Sequence, residues 1–181
     1  MKNIFKLILS IVICELAGIA GVIFTGPVVK SAWYQDLNKS SLNPPNWVFG
    51  PVWTALFLLM GVSLYLVWLK NWKGETSQDI ILPKKAWNPL SQKLWEGSWK
   101  EENVISIFLL QLILNIIWPV LFFGLQFPGL AFFELLMLWF AILYMIINFY
   151  RISKLAGLLL LPYILWVSFA GLLNFIIWII N

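Results

Sequence analysis

The sequence predicts an all-α integral membrane protein, a five-transmembrane-helix bundle with a structured Trp/Pro-rich first loop. Three observations predict it. Five apolar runs each reach the roughly 20 residues that a helix needs to cross the hydrocarbon core of a bilayer. The 181 residues are 61% hydrophobic and only 11% charged, against about 25% charged in a soluble domain. A domain this small still exposes roughly a third of its unfolded surface, so a core cannot hide the deficit. Third, the connection after the first run is aromatic and rigid rather than merely polar.

The runs are Ile4–Thr25, Val48–Leu69, Val104–Gly124, Gly129–Phe149 and Leu155–Ile180. Together they make one membrane domain over residues 1–181, with an extended loop at 70–103. In the first run, Lys2 and Lys6 precede an apolar stretch too long for the core of a signal peptide. Gly26-Pro27 reads as a helix stop rather than a cleavage site, so the segment is expected to be a retained span. Ala17, Gly18 and Gly21 allow a neighbouring helix to come close.

The first connection leads into the second span. Trp33-Tyr34-Gln35-Asp36-Leu37-Asn38-Lys39 is followed by Ser40-Ser41-Leu42-Asn43-Pro44-Pro45-Asn46-Trp47. Such a loop is built to hold a shape. After the second span comes the 70–103 segment. Asn88-Pro89 reads there as an N-cap and first-turn proline, with Trp87, Leu90 and Leu94 on one face. That predicts an interfacial helix, and Trp72, Trp95 and Trp99 fit an aromatic belt. The third and fourth spans are joined by Gly124-Leu125-Gln126-Phe127-Pro128-Gly129, a connection so short that they must be antiparallel neighbours.

Alternating connections divide the charges. One side carries Lys2, Lys6, Lys70, Lys73, Lys84, Lys85, Lys93, Lys100, Arg151 and Lys154; the other carries Lys30 and Lys39. The positive-inside rule then puts the N-terminus inside, and the C-terminus and the Trp-rich loop outside. The basic residues flank apolar segments, so the net charge of +4 is topological and implies no nucleic acid. The lipid bilayer is the expected partner surface.

The chemistry is bounded by what is absent. There is no histidine and one cysteine, Cys14. Intrachain disulfides, thiolate clusters, His-ligated metals and His general bases are excluded. No catalytic set, phosphate-binding glycine loop or metal site is present. No long internal repeat suggests an inverted-repeat transporter.

Helical spacing gathers the remaining polar and aromatic groups into stripes. Gln111, Asn115, Trp118 and Phe122 share a face of the third span. Tyr163, Trp166, Ala170 and Asn174 share one on the fifth. Phe49, Trp53, Phe57, Met60 and Leu64 share one on the second. If these faces meet, they enclose an aromatic pocket suited to a planar, conjugated guest. The Trp53 indole, the Tyr34 hydroxyl and the Asn115 amide are expected to donate to it. The alternative is that Gln111, Asn115 and Asn174 act as helix–helix glue. Glu15 and Glu134 lie within spans with no intramembrane Lys or Arg to pair them. Either they serve proton coupling, or each is protonated or reaches a partner inside the bundle.

These residues resemble the tryptophan-rich sensory protein/translocator protein family, also called the peripheral-type benzodiazepine receptor family. Trp33-Tyr34…Leu37-Asn38-Lys39…Pro44-Pro45…Trp47-Val48-Phe49…Pro51-Val52-Trp53-Thr54 looks like its first-loop signature. Gln111-Leu112…Asn115…Trp118…Leu121-Phe122-Phe123-Gly124 resembles its third-helix motif, and Leu161-Pro162-Tyr163…Leu165-Trp166…Phe169-Ala170…Leu173-Asn174 its fifth. The resemblance implies a five-helix bundle that binds porphyrins, with Tyr34, Trp53, Phe57, Asn115, Trp118, Trp166 and Ala170 at ligand-contacting positions. Trp33, Pro44, Pro45 and Trp47 then belong to a lid.

What the resemblance implies is a binding and sensory protein. It needs no cofactor and takes a protoporphyrin-like tetrapyrrole as ligand. Light-dependent porphyrin breakdown and porphyrin or sterol transport are the alternative activities. The expected location is a bacterial inner membrane, or the mitochondrial outer membrane in a eukaryote. Three departures bear on this. The family's Lys-Pro is Lys39-Ser40 here, the 70–103 connection is long, and no Lys or Arg follows Lys154. The last leaves the sterol pattern around Tyr163 incomplete. A homodimer is compatible with the resemblance, but the third span has no small-xxx-small row to mediate it.

Overall fold

A computed structural model describes residues 2–73 and 101–181, with side chains at 3–70 and 104–181. The expected interfacial helix at Asn88-Pro89, with Trp72, Trp87, Trp95 and Trp99, lies outside the described side chains. The helices are α1 (Lys2–Val28), α2 (Ala32–Asp36), α3 (Asn46–Lys73), α4 (Glu101–Pro119), α5 (Pro128–Ile152), α6 (Lys154–Leu159) and α7 (Leu161–Ile180). A π-helical turn, Val120–Gly124, continues α4. Five helical segments are long and apolar enough to span a bilayer, the fifth being α6 and α7 together. The protein is therefore an integral, multi-pass membrane protein. Its exposed side chains include Ile8, Ile19, Phe133, Met137, Phe140 and Leu165, as lipid as solvent requires.

Proline marks where the elements depart from the expected bounds. The first helix does not stop at Gly26-Pro27; Pro27 lies inside its last turn. Proline removes one N–H, and the helix ends one residue later, so little hydrogen bonding is lost. The fifth span is broken. Pro162 has no N–H for the turn before it, and Leu160 N donates to Gly157 O at 3.2 Å instead. In the short link between α4 and α5, Gln126 takes a left-handed φ of 54°. This conformation costs a non-glycine residue some strain, and it lets Pro128 start the next helix at its first position.

Two apolar clusters organise the bundle. The larger includes Cys14, Phe57, Met60, Phe108, Leu138, Phe149 and Tyr163. The smaller gathers Tyr34, Phe122, Phe123, Ala131 and Ile177 beneath the first loop. Helices α1 and α3 meet closely in their inner half. A Cβ added at Gly61 would lie 2.6 Å from Ile11 Cα, and one added at Gly18 would lie 2.6 Å from Phe57 Cε2. Towards the loop the pair opens: nothing lies within 4 Å of a Cβ built at Gly26 or Gly50. Ser63 Oγ donates to Ala156 O at 2.7 Å and ties α3 to α6.

Candidate functional site

The space between the two clusters is a cavity of about 330 Å3. Helix α3 supplies Phe49, Trp53 and Phe57, and α4 with its π turn supplies Asn115, Trp118 and Phe122. Helix α7 supplies Ala170 and Asn174, and Tyr34 comes from the first loop. The three stripes read from the sequence thus do face one another. Their inner members do not reach the cavity: Met60 and Tyr163 are packed in the larger cluster.

Trp53 stacks on Phe57 with centroids 5.6 Å apart and planes at 30°. Trp118 stacks on Phe122 at 5.3 Å and 26°. These two aromatic pairs come from different helices of the same cavity wall. Trp166 stands apart from the lining. It packs edge-on to Phe49, 5.7 Å away, and its buried Nε1 has no partner among the described residues.

The wall is fixed by hydrogen bonds beneath it. Tyr163 Oη donates to Gln111 Oε1 at 2.9 Å. Asn115 Nδ2 donates to Gln111 O at 2.8 Å, to Gln111 Oε1 at 3.1 Å and to Tyr163 Oη. A backbone carbonyl can only accept, so the sense of the Asn115 amide is set by Gln111 O. The expectation that Asn115 donates to a guest is corrected by this: its N–H groups are committed to the protein. Its Oδ1 is buried with no partner among the described residues. Trp118 Nε1 donates to Asn174 Oδ1 at 3.1 Å, and Asn174 Nδ2 donates to Pro128 O at 2.7 Å. Gln111 and Asn174 are therefore interhelical ties, while Asn115 is a tie and a wall residue at once.

The first loop forms a cover. Ser31 caps α2, its Oγ accepting from Tyr34 N at 3.4 Å. Helix α2 turns Tyr34 inward, where its hydroxyl donates to Asn46 Oδ1 at 3.4 Å and its ring lies 5.7 Å from Phe123. Burial pushes the Tyr34 hydroxyl above its ordinary value of 10. Trp33 packs edge-on against Phe122 at 6.0 Å. Lys39 Nζ donates to the Tyr34 carbonyl and sits 4.4 Å from the centre of the Tyr34 ring.

Ser40, where the resemblance expects proline, builds its own turn. Its Oγ accepts from Leu42 N at 3.1 Å and its carbonyl from Asn43 N at 2.9 Å. Pro44 is half-buried and Pro45 exposed. Trp47 is 74% exposed and projects away from the cover. The cover is latched to the far end of the chain: Asn38 N donates to Asn181 Oδ1 at 2.9 Å, and Asn181 Nδ2 to Asn38 O at 3.1 Å.

Sequence reasoning missed one wall. Helix α1 lines the cavity with Glu15, Gly18, Val22 and Thr25. Their i, i+3, i+7, i+10 spacing was the available signal, masked because Ala17, Gly18 and Gly21 also read as a packing surface. Glu134 is buried in α5, and neither carboxyl oxygen has a partner among the described residues.

Comparison with known proteins gives a consistent result. The TspO/MBR family model matches residues 10–179. The tryptophan-rich protein TspO of Archaeoglobus fulgidus is 38% identical, over 99% of this chain and 99% of that protein. The one of Chlorobaculum tepidum is 39% identical, over 99% of this chain and 98% of that protein. The human translocator protein is 37% identical, over 81% of this chain and 73% of that protein.

Proposed function

The chain belongs to the TspO/MBR family, and from that membership we propose that it is a membrane sensory protein that holds a porphyrin in its cavity. The observation that supports this most directly is the pair of aromatic stacks, Trp53–Phe57 and Trp118–Phe122, in one cavity under a latched cover. The volume of about 330 Å3 is in the range of small-molecule pockets, roughly 300–1,000 Å3. Its lining suits a flat conjugated ring that stacks on indole and phenyl faces.

Trp53 supplies the remaining indole N–H on the wall, since that of Trp118 is spent on Asn174. Tyr34 closes the cavity from above, and Ala170 leaves room beside Phe49. Trp166 supports Phe49 from behind. With no histidine in the chain, the guest is a metal-free porphyrin rather than a His-ligated haem. The charge asymmetry between connections supports an N-terminus on the cytoplasmic side, with the cover outside.

The test is porphyrin titration of the purified protein in detergent, followed by quenching of tryptophan fluorescence. Saturable quenching at micromolar or tighter affinity is expected. Trp53→Phe and Asn115→Ala should each weaken it. Unchanged titration curves for both variants would show that the site is misplaced.

A further inference from the structure

The cavity has a chemical direction along the bundle axis. Its inner end is where α1 and α3 close on each other at Gly18 and Phe57. Two polar side chains lie at that depth, Glu15 on α1 and Asn115 on α4, and both line the cavity. The spans they belong to run in the same direction and are in contact. Their register follows from Gly21, where an added Cβ would lie 3.3 Å from Pro119 Cγ. At 1.5 Å per residue, Glu15 is about 9 Å and Asn115 about 6 Å inward of that contact. They therefore stand within one helical turn of the same depth.

Asn115 is 7% exposed, and its Oδ1 is the acceptor left without a partner among the described residues. Its amide cannot turn over, because Gln111 O holds the Nδ2 side at 2.8 Å. Ala17, Gly18 and Phe57, also at this end, bring no polar side chain. Among the described residues, no Lys or Arg lines the cavity. Trp53, which carries a hydrogen-bond donor, is one turn nearer the cover than Phe57.

We propose that the inner end of the cavity is an acceptor site, built on the Glu15 carboxyl beside Asn115, that takes a cationic or N–H-bearing end of a flat hydrophobic ligand. The inference rests on the cavity being the binding site and names the chemistry of the ligand's deep end. A protonated amine there forms a charge-assisted hydrogen bond to Glu15. A carboxylate-bearing edge meets the Glu15 carboxyl at that depth and is turned towards the cover.

The experiment compares two isosteric probes on the full-length protein in detergent at neutral pH. One is anthracene carrying a dimethylaminomethyl group; the other carries isobutyl in its place. Both are titrated by tryptophan quenching, with a metal-free porphyrin as a third ligand in the same preparation. The amine is expected to bind about tenfold more tightly than the hydrocarbon. Glu15→Gln should remove most of that preference, and helical circular dichroism with an unfolding midpoint like that of the wild type certifies the variant's fold. Equal affinities in the wild type, or an undiminished preference in Glu15→Gln, overturns the acceptor site and leaves the cavity assignment standing. Failure of all three ligands to bind overturns both.

Discussion

Gly18→Ala tests the inner closure of the cavity. The added methyl carbon would lie 2.6 Å from Phe57 Cε2 and 2.7 Å from Cδ2, far inside the ordinary carbon contact of about 3.5–4.0 Å. Phe57 is 5% exposed and stacked on Trp53, so the ring has little room to retreat. Either α1 shifts outward or Phe57 tilts into the cavity. Overpacking of this kind costs about 1–3 kcal/mol. The gain in helix propensity from glycine to alanine returns at most about 1 kcal/mol.

The assay is unfolding of the detergent-solubilised protein followed by circular dichroism, with porphyrin titration in parallel. Gly18→Ala should lose stability and bind porphyrin more weakly. The control is Gly26→Ala, where nothing lies within 4 Å of the new methyl; it should be neutral in both assays. Adding Phe57→Leu to Gly18→Ala should restore part of the stability by freeing the volume of the ring. If Gly18→Ala matches the wild type in stability and binding, the close approach of α1 to α3 is wrong, and with it the position of the cavity's inner end.

Other consequences are as direct. Asn181→Ala removes the three hydrogen bonds that latch the cover at Asn38. Each is exposed, so the expected loss is small, about 0.5–1.5 kcal/mol per bond; amide exchange at Asn38 should accelerate and porphyrin should dissociate faster. The Tyr34 hydroxyl has its folded-state pKa raised by burial above the unfolded value of 10. Its contribution is therefore fully present below pH 10 and is lost as the pH rises from there through the folded value. Tyr34→Phe should flatten that alkaline loss, and an unaltered profile would mean that Tyr34 is not buried beneath the cover. Ser63→Ala should cost about 1 kcal/mol through the lost bond to Ala156 O, read as a lower unfolding midpoint.

The five spans were legible because lipid imposes a one-dimensional rule: a long apolar run must be a helix. The stripes were legible for the same reason, since 3.6-residue spacing places Trp53 with Phe57 and Asn115 with Trp118. What spacing cannot supply is which atom of a side chain faces the space. Asn115 read as a donor until Gln111 O and Tyr163 Oη claimed its N–H groups. Trp166 shares a face with Ala170, yet Phe49 stands between it and the cavity. Glu15 and Gly18 looked like an awkward charge and a packing notch, because a wall made of small residues has no aromatic signature. The turn at Ser40 shows the same limit: the sequence shows only that the family's proline is replaced, and a side-chain hydrogen bond from Leu42 N supplies the turn.

The latch between Asn38 and Asn181 joins residues 143 apart, and this separation orders events during synthesis. Residues that form the cover are made after the first span, and their partner only after the fifth. The cover can be packed by Tyr34 and Phe123 once the π turn is in place, but it cannot be fastened until the chain has been made through residue 181. A chain whose fifth span is not yet inserted should therefore display an unlocked cavity that still lacks its Ala170 and Asn174 wall, open to lipid and ligand. Chains stalled before Asn181 should show fast amide exchange at Asn38, and chains that have inserted the fifth span through Asn181 should show slower exchange.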